Sequence, residues 1–260
     1  MKKLLTVLLA LAGAVSYSTE VQQQKIKCGD TEILLVSRHY WNLNSIDYKG
    51  VNLCRPRSFF GNVVRFKCGW VGTGHKENKI GETGLDVKFF ADGKEFVPAG
   101  KTLDVKKFEM KKSSVLLDLK IDYTISFSAD KLVEQAKVTV LKDTEVAQFY
   151  LFMHPWCGIF TKAECVNADG RIESIDFSRM AKKQSLTKRG ISRVNYYAPA
   201  EKITAVSTLR TITPAPGGKS AFLFWNRGVD RKLYFQPVPR MKLSAGTVFE
   251  YELTTAIEGK

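Results

Sequence analysis

Between Leu117 and Phe127 every odd position is apolar (Leu117, Leu119, Ile121, Tyr123, Ile125, Phe127) and every even one polar (Asp118, Lys120, Asp122, Thr124, Ser126). A side-chain period of two sustained over this length predicts a strand with one buried and one wet face. Ser128-Ala129-Asp130-Lys131 then reads as a turn, and Leu132, Ala136, Val138 and Val140 continue on one face of a hairpin partner. Val146–Met153 is a mostly apolar run rich in aromatics, which predicts a strand covered on both faces. Further strands are expected at Glu32–Val36, Leu85–Ala91, Phe96–Pro98, Val105–Met110, Ala221–Trp225, Lys232–Gln236 and Thr247–Thr254. Asp92-Gly93 is a hairpin-turn dipeptide between two of them, and Asp169-Gly170 plays the same part before Arg171-Ile172-Glu173. Short strands punctuated by turns predict an all-β chain, a large antiparallel β-sandwich. Helix is sparse, with Phe177–Leu186 and Lys188–Val194 holding at most a short turn or loop.

The N-terminus has a different pattern. Lys2 and Lys3 precede Leu4–Val15, an almost wholly apolar run of 12 residues, and Ala14, Ser16 and Ser18 supply small residues for a cleavage site. This is the build of a secretory signal peptide over residues 1–18, too short for the ~20 residues of a spanning helix. The expected product is a secreted or periplasmic protein, without stable membrane insertion, folded as a single β-sandwich domain over residues 19–260. The formal net charge is +14, and +12 once Lys2 and Lys3 are removed. Such an excess favours polyanionic partners. Export and the lack of any nucleic-acid motif turn that preference away from nucleic acid and toward an anionic polysaccharide or oligosaccharide. An oxidising compartment permits disulfides among Cys28, Cys54, Cys68, Cys157 and Cys165. Cys157–Cys165 would close a short loop and Cys54–Cys68 could span a hairpin, with at least one thiol left over, while buried unpaired thiols stay open for all five. No Cys/His spacing specifies a metal, although His39, His75 and His154 with Glu77 could in principle hold zinc, and no motif calls for a cofactor. Oligomeric state is left open.

Candidate chemistry gathers around the three histidines. His39 lies in Arg38-His39-Tyr40-Trp41, where the aromatic rings offer flat faces for a sugar. His75 follows Gly69-Trp70-Val71-Gly72-Thr73-Gly74 and precedes Glu77, with glycines that allow a close backbone approach to a ligand. His75 and Glu77 share a side of an extended segment. His154 ends the Val146–Met153 strand in His154-Pro155-Trp156, where a sheet presents side chains to a ligand. Arg55 is a candidate clamp for a carboxylate or sulfate. Lys232 and Tyr234, two apart in a strand, share one face and pair a cation with a phenol. β-Elimination from a uronic acid requires such a pairing, with the cation on the carboxylate and the phenol or a histidine handling the proton. Each segment also has a plainer reading: core aromatics, a satisfied histidine, or a wet lysine on an edge strand.

Taken together, Gly72-Thr73-Gly74-His75-Lys76-Glu77, Glu82, Asp86-Val87-Lys88-Phe89-Phe90-Ala91-Asp92-Gly93-Lys94 and the closing Leu243-Ser244-Ala245-Gly246-Thr247-Val248-Phe249-Glu250-Tyr251 resemble the galactose-mutarotase-like β-sandwich group, in particular an uncharacterised exported branch found in polysaccharide-degrading bacteria. The resemblance implies a large twisted supersandwich with few short helices and a carbohydrate site on its concave sheet. It implies a histidine acid, for which His75 and His154 are the candidates, and a carboxylate partner, for which Glu77 is the candidate. No C-terminal glutamate matches the mutarotase base. Three functions follow as expectations. The first is a carbohydrate-active protein that binds or processes an acidic glycan, lyase-like if an enzyme. There His75 or His154 would serve as base or acid, Arg55 would neutralise the carboxylate, and Tyr40 or Tyr234 would assist. The second is a non-catalytic glycan-binding module using Trp41, Trp70 and Trp156 as platforms. The third is an aldose 1-epimerase-like enzyme.

Overall fold

The computed structural model describes residues 21–259 apart from positions 39, 57–59, 77–78 and 219. The expected signal peptide, His39 and Glu77 lie outside the described residues. Most of the expected segments are strands, but residues 105–107 of the expected Val105–Met110 and residues 97–98 of the expected Phe96–Pro98 are not. The larger sheet runs β10 (Leu103–Asp104), β1 (Gln23–Cys28), β2 (Thr31–Val36), β3 (Asn42–Tyr48), β4 (Val51–Cys54), β15 (Gln148–Cys157), β22 (Asp230–Gln236), β21 (Ala221–Asn226), β18 (Ser185–Arg189). From β15 a side branch continues through β5 (Gly61–Phe66), β6 (Gly69–Gly72) and β7 (His75–Lys76). The second sheet runs β17 (Ile172–Asp176), β16 (Lys162–Asn167), β19 (Ile191–Ala198), β20 (Ile203–Thr213), β24 (Val248–Gly259), β13 (Lys131–Val140), β12 (Leu119–Ser128), β11 (Phe108–Leu116), β8 (Thr83–Ala91), β9 (Lys94–Phe96). A small third pair joins β14 (Thr144–Val146) to β23 (Met241–Leu243). Among the described strands pairing is antiparallel except for β1 with β10, which is parallel. The chain is an all-β sandwich.

The expected few short helices are not found: no described residue belongs to an α-helix. The basic stretch after Phe177 instead turns and enters β18 and β19. No described helix is long and apolar enough to cross a membrane.

The two sheets face each other across one continuous apolar cluster. Phe235 meets Tyr251 edge-on at 4.8 Å between ring centroids, and Phe149 meets Phe249 at 5.8 Å, each contact bridging the sheets. Burying such side chains contributes about 1.5–3 kcal/mol each. The hairpin β12–β13 turns at Ala129 and Asp130, both with positive φ (44° and 59°), the backbone a two-residue hairpin needs. The Asp130 carboxylate also accepts a hydrogen bond from the Thr31 hydroxyl at 2.6 Å, which ties this hairpin to the facing sheet. Asp92-Gly93 makes the expected turn between β8 and β9. Leu117 departs from the alternation. It lies with φ 57° at the tip of the β11–β12 turn and is exposed, so the buried face starts at Leu119. A turn of two residues preserves a period of two, so the pattern could not reveal it.

Strand β15 carries the feature that arranges the rest. It is buried along nearly its whole length, as its apolar run predicts. Its register against β22 slips between Leu151 and His154, and against β5 between Tyr150 and Met153. Phe152 takes φ 51° at this β-bulge. A bulge inserts one residue and shifts the facing of everything after it. Leu151 and Phe152 both enter the core, while Tyr150 and Met153 pack in a separate apolar cluster.

Of the two readings the sequence leaves open, the structure has the unpaired one: Cys54, Cys157 and Cys165 carry thiols, and neither candidate disulfide forms. Cys157 ends β15 in one sheet and Cys165 lies within β16 in the other. Cys54 belongs to β4, whereas Cys68 sits in the turn of a different hairpin, β5–β6. Burial holds the Cys54 thiol well above its ordinary pKa and pushes Cys165 up to about 12.

Gly72, two residues after Trp70, is required by the fold. A Cβ on Gly72 (φ 125°) would lie 2.4 Å from the Asn62 carbonyl oxygen and 2.8 Å from Val63 Cα. Both are backbone atoms of β5, the strand paired with Gly72. Gly72→Ala is therefore expected to destabilise by more than about 1 kcal/mol. A lowered urea midpoint checks this, and an unchanged midpoint would refute the close approach.

Candidate functional site

The second apolar cluster lies on the outer face of the larger sheet. In β21, Phe222 and Phe224 point into the core, so Leu223 and Trp225 point out. In β22, Leu233 and Phe235 point in, so Lys232 and Tyr234 point out. Leu223 pairs with Tyr234 and Trp225 with Lys232 across the hairpin. The bulge brings Tyr150 and Met153 to the same surface, and β5–β7 rises beside them with Val63, Trp70 and His75. These side chains line a groove of about 440 Å³.

Its floor is aromatic. Tyr150 and Tyr234 lie 4.8 Å apart, and Trp70 stacks on Tyr150 at 5.8 Å with only 17° between the planes. His75 flanks Trp70 at 5.8 Å. On the opposite side the Arg227 guanidinium sits over Trp225 at 5.5 Å, and the Lys232 ammonium over Tyr234 at 5.5 Å. Cations over aromatic faces are held by the ring quadrupole, worth about 0.5–2 kcal/mol. No described residue lining the groove is a carboxylate.

Burial sets the electrostatics. Lys232 is only 4% exposed. Desolvation, then the neighbouring Arg227 charge, lower its pKa to about 8, while buried Asp230 pulls the other way. Burial raises the phenols of Tyr234 and Tyr150, so both stay protonated at neutral pH. Lys232 is thus a cation below about pH 8 and a neutral amine above it. Two outcomes follow with opposite signs. The unfolded chain holds this proton up to its ordinary value of 10.5, so Lys232 makes folding stability rise as pH climbs from about 8 to 10.5. An anion held by the ammonium is released over the same climb. Titration of the Lys232 amine by NMR checks the midpoint, and a midpoint near 10.5 would refute the burial argument.

The remaining expected site residues lie elsewhere. His154 follows the bulge and is turned into the core, 0% exposed. Its Nε2 contacts the Glu134 carboxylate of β13, which also accepts the Tyr123 hydroxyl of β12. His154 is therefore a link between the sheets and cannot serve as a solvent-reachable acid. Trp156, also 0% exposed, packs edge-on against Phe160 at 5.2 Å and cannot be a sugar platform. Trp41 is buried edge-on against Phe89 at 4.9 Å. Tyr40, half-buried with φ 61°, covers Gly84, and its carbonyl accepts a hydrogen bond from buried Lys112 at 3.0 Å. Arg55 is exposed after β4 and does not line the groove, although its N–H donates to the carbonyl of Pro155, the residue paired with Lys232. Trp70, His75, Lys232 and Tyr234 are the four that come together. Tyr150, Trp225 and Arg227 were missed by the sequence reading. The signal for Trp225 was available, since aligning Ala221–Trp225 with Lys232–Gln236 as a hairpin sets Trp225 beside Lys232. Among the described residues no group of three or more His, Cys, Asp or Glu side chains could hold a metal.

No sequence-family model matches the chain and no curated protein matches it. Solved structures do resemble it. A putative aldose 1-epimerase from Escherichia coli K12 superposes with a TM-score of 0.53 at 9% identity, covering 93% of this chain and 100% of its own. A galactose mutarotase-like protein from Clostridium acetobutylicum gives 0.55 at 10% identity, covering 91% and 95%. An α-galactosidase from Geobacillus stearothermophilus gives 0.52 at 8% identity, covering 92% of this chain but 41% of that one. The chain has the galactose-mutarotase-like β-sandwich fold, as the motif resemblance implied.

Proposed function

We propose that this protein binds an acidic saccharide in the groove between β5–β7 and the β21–β22 hairpin. One observation carries the reading: an aromatic floor is bordered by Lys232, Arg227 and His75 and by no described carboxylate. Sugar rings present flat C–H surfaces to aromatic faces, and an apolar pocket with a few placed polar groups is the usual design for such a ligand. The cations add selectivity for a carboxylate or sulfate. Neighbours of the same fold that are named for sugar chemistry support the ligand class. The basic, apolar N-terminal segment supports a site of action outside the cytoplasm, where acidic polysaccharides are met. A mature N-terminus at residue 19, read by mass spectrometry of the exported protein, is the corresponding expectation.

The test is retention on acidic glycans (polygalacturonate, alginate, chondroitin sulfate) against neutral ones (starch, galactan) in affinity electrophoresis. Retention on the acidic set alone is expected, weakened about tenfold by Lys232→Met. Equal retention on both sets, or on neither, would overturn the reading.

A lyase reading is favoured second, because His75, Tyr234 and Lys232 line the same groove. Lys232 and Arg227 would neutralise a uronate carboxylate and lower the cost of removing its α-proton to His75. The C–H electron pair would form the ring double bond as the bond to the β-oxygen breaks, and the protonated Tyr234 phenol would supply a proton to that departing oxygen. Its signature is an ultraviolet-absorbing unsaturated product, formed fastest below about pH 8, where Lys232 is charged. An epimerase reading has less support, since its carboxylate base has no counterpart among the described lining residues.

A further inference from the structure

The groove does not end at Trp70. Beyond the indole a second cleft of about 530 Å³ opens between the β5–β6 hairpin and the β14–β23 pair. Its lining is the reverse of the first, polar rather than aromatic: Arg65, Lys67 and Arg240 surround it, and Trp70 is the wall the two share. The Arg65 guanidinium lies 5.9 Å from the Trp70 ring centroid, and its charge also reaches the Tyr150 phenol, favouring the ionised form. Arg65 therefore stands at the junction. No described residue lining the cleft is a carboxylate, and Arg240 is engaged at 2.9 Å by Glu145, which is not among them. Arg65 and Lys67 remain in excess of it.

We infer that the second cleft is an adjoining anion subsite, and that the ligand is a linear acidic glycan of at least two charged rings rather than a free sugar. This rests on the sugar-binding reading above and extends it. One ring lies on the aromatic floor with its acid group toward Lys232 and Arg227. The chain passes over Trp70, and a following acid group meets Arg65 and Lys67. The indole between two cationic ends suits a polymer that alternates apolar ring faces with negative charge. A neutral polymer gains nothing from the second cleft. A monomeric acid reaches only one end.

The experiment compares galacturonic acid with its linear hexamer, and glucuronic acid with a chondroitin sulfate hexasaccharide, by calorimetry on the mature protein and on Arg65→Ala/Lys67→Ala. Both substituted side chains project from the exposed rim of β5 and its turn. In the unsubstituted protein a hexamer is expected to bind about 100-fold more tightly than its monomer, through a second contact on the same molecule. The double variant should lose about tenfold of that gain, and its affinity should depend less steeply on salt, while monomer affinity falls far less than hexamer affinity. Hexamer and monomer affinities that coincide in both series would overturn the subsite, as would a hexamer affinity indifferent to the double variant. If neither monomers nor hexamers bind at all, the sugar-binding reading falls and takes this one with it. That outcome is distinct from monomer binding without hexamer gain.

Discussion

Glu134→Ala is expected to lower the thermal midpoint by about 10 °C, the largest effect of any single replacement considered. Glu134 is fully buried on β13 and serves two partners at once: the Tyr123 hydroxyl from the neighbouring strand, and His154 Nε2 from the facing sheet. Removing its carboxylate leaves a phenol and an imidazole with no acceptor where water does not reach, along with a void. Losing one partner of a buried pair costs about 3–5 kcal/mol, and a domain of this size loses about 2–4 °C per kcal/mol. Burial and the Glu134 charge already hold the Tyr123 pKa well above its ordinary value, so the phenol stays a donor throughout the working range. Glu134→Gln keeps the volume and one acceptor, and should fall between the parent and the alanine variant. Melting followed by circular dichroism decides the matter. A midpoint within about 2 °C of the parent would show that the sheets do not depend on this link.

Trp70→Ala is expected to weaken binding of an acidic hexasaccharide by about 30-fold, the larger of the binding effects. Trp70 stacks on Tyr150, flanks His75 and forms the wall common to both clefts, so its loss removes a platform and the path between them. It lies outside the inter-sheet core, which predicts a melt close to that of the parent. Trp70→Phe keeps a flat face and should recover part of the affinity. Calorimetric titration reads both, and an affinity within twofold of the parent for Trp70→Ala would remove the stacking argument.

Where strands keep strict phase, the sequence was legible. β12 and β13 follow the alternation from Leu119 to Val140, and their turn fell where Ala129-Asp130 indicated. Lys232 and Tyr234 were correctly placed on one face because β22 has no irregularity between them. Legibility failed where facing depends on a third strand. Nothing in Val146–Met153 marks the slip at Phe152, so His154 and Trp156 read as rim residues when they are core residues. Trp41 shows the same limit: an aromatic beside polar neighbours looks like a platform until Phe89 is packed against it. Nearness in sequence could not decide the cysteine pairing: Cys157 and Cys165 lie on strands of opposite sheets, and Cys54 and Cys68 belong to different hairpins of one sheet. The groove itself draws on β5, β6, β7, β15, β21 and β22, and no local pattern states that these meet.

The slip at Phe152 also means that β15 is written in two reading frames. Before it, one parity of residue number belongs to the outer, groove-lining face, and after it the same parity belongs to the interior. A deletion of a single residue near Phe152 would thus act as a frameshift in space. It would exchange the imidazole that fastens the sheets for a side chain meant to face outward, without altering any of the residues involved. Relatives of this chain should accordingly tolerate substitutions along β15 far better than changes in its length.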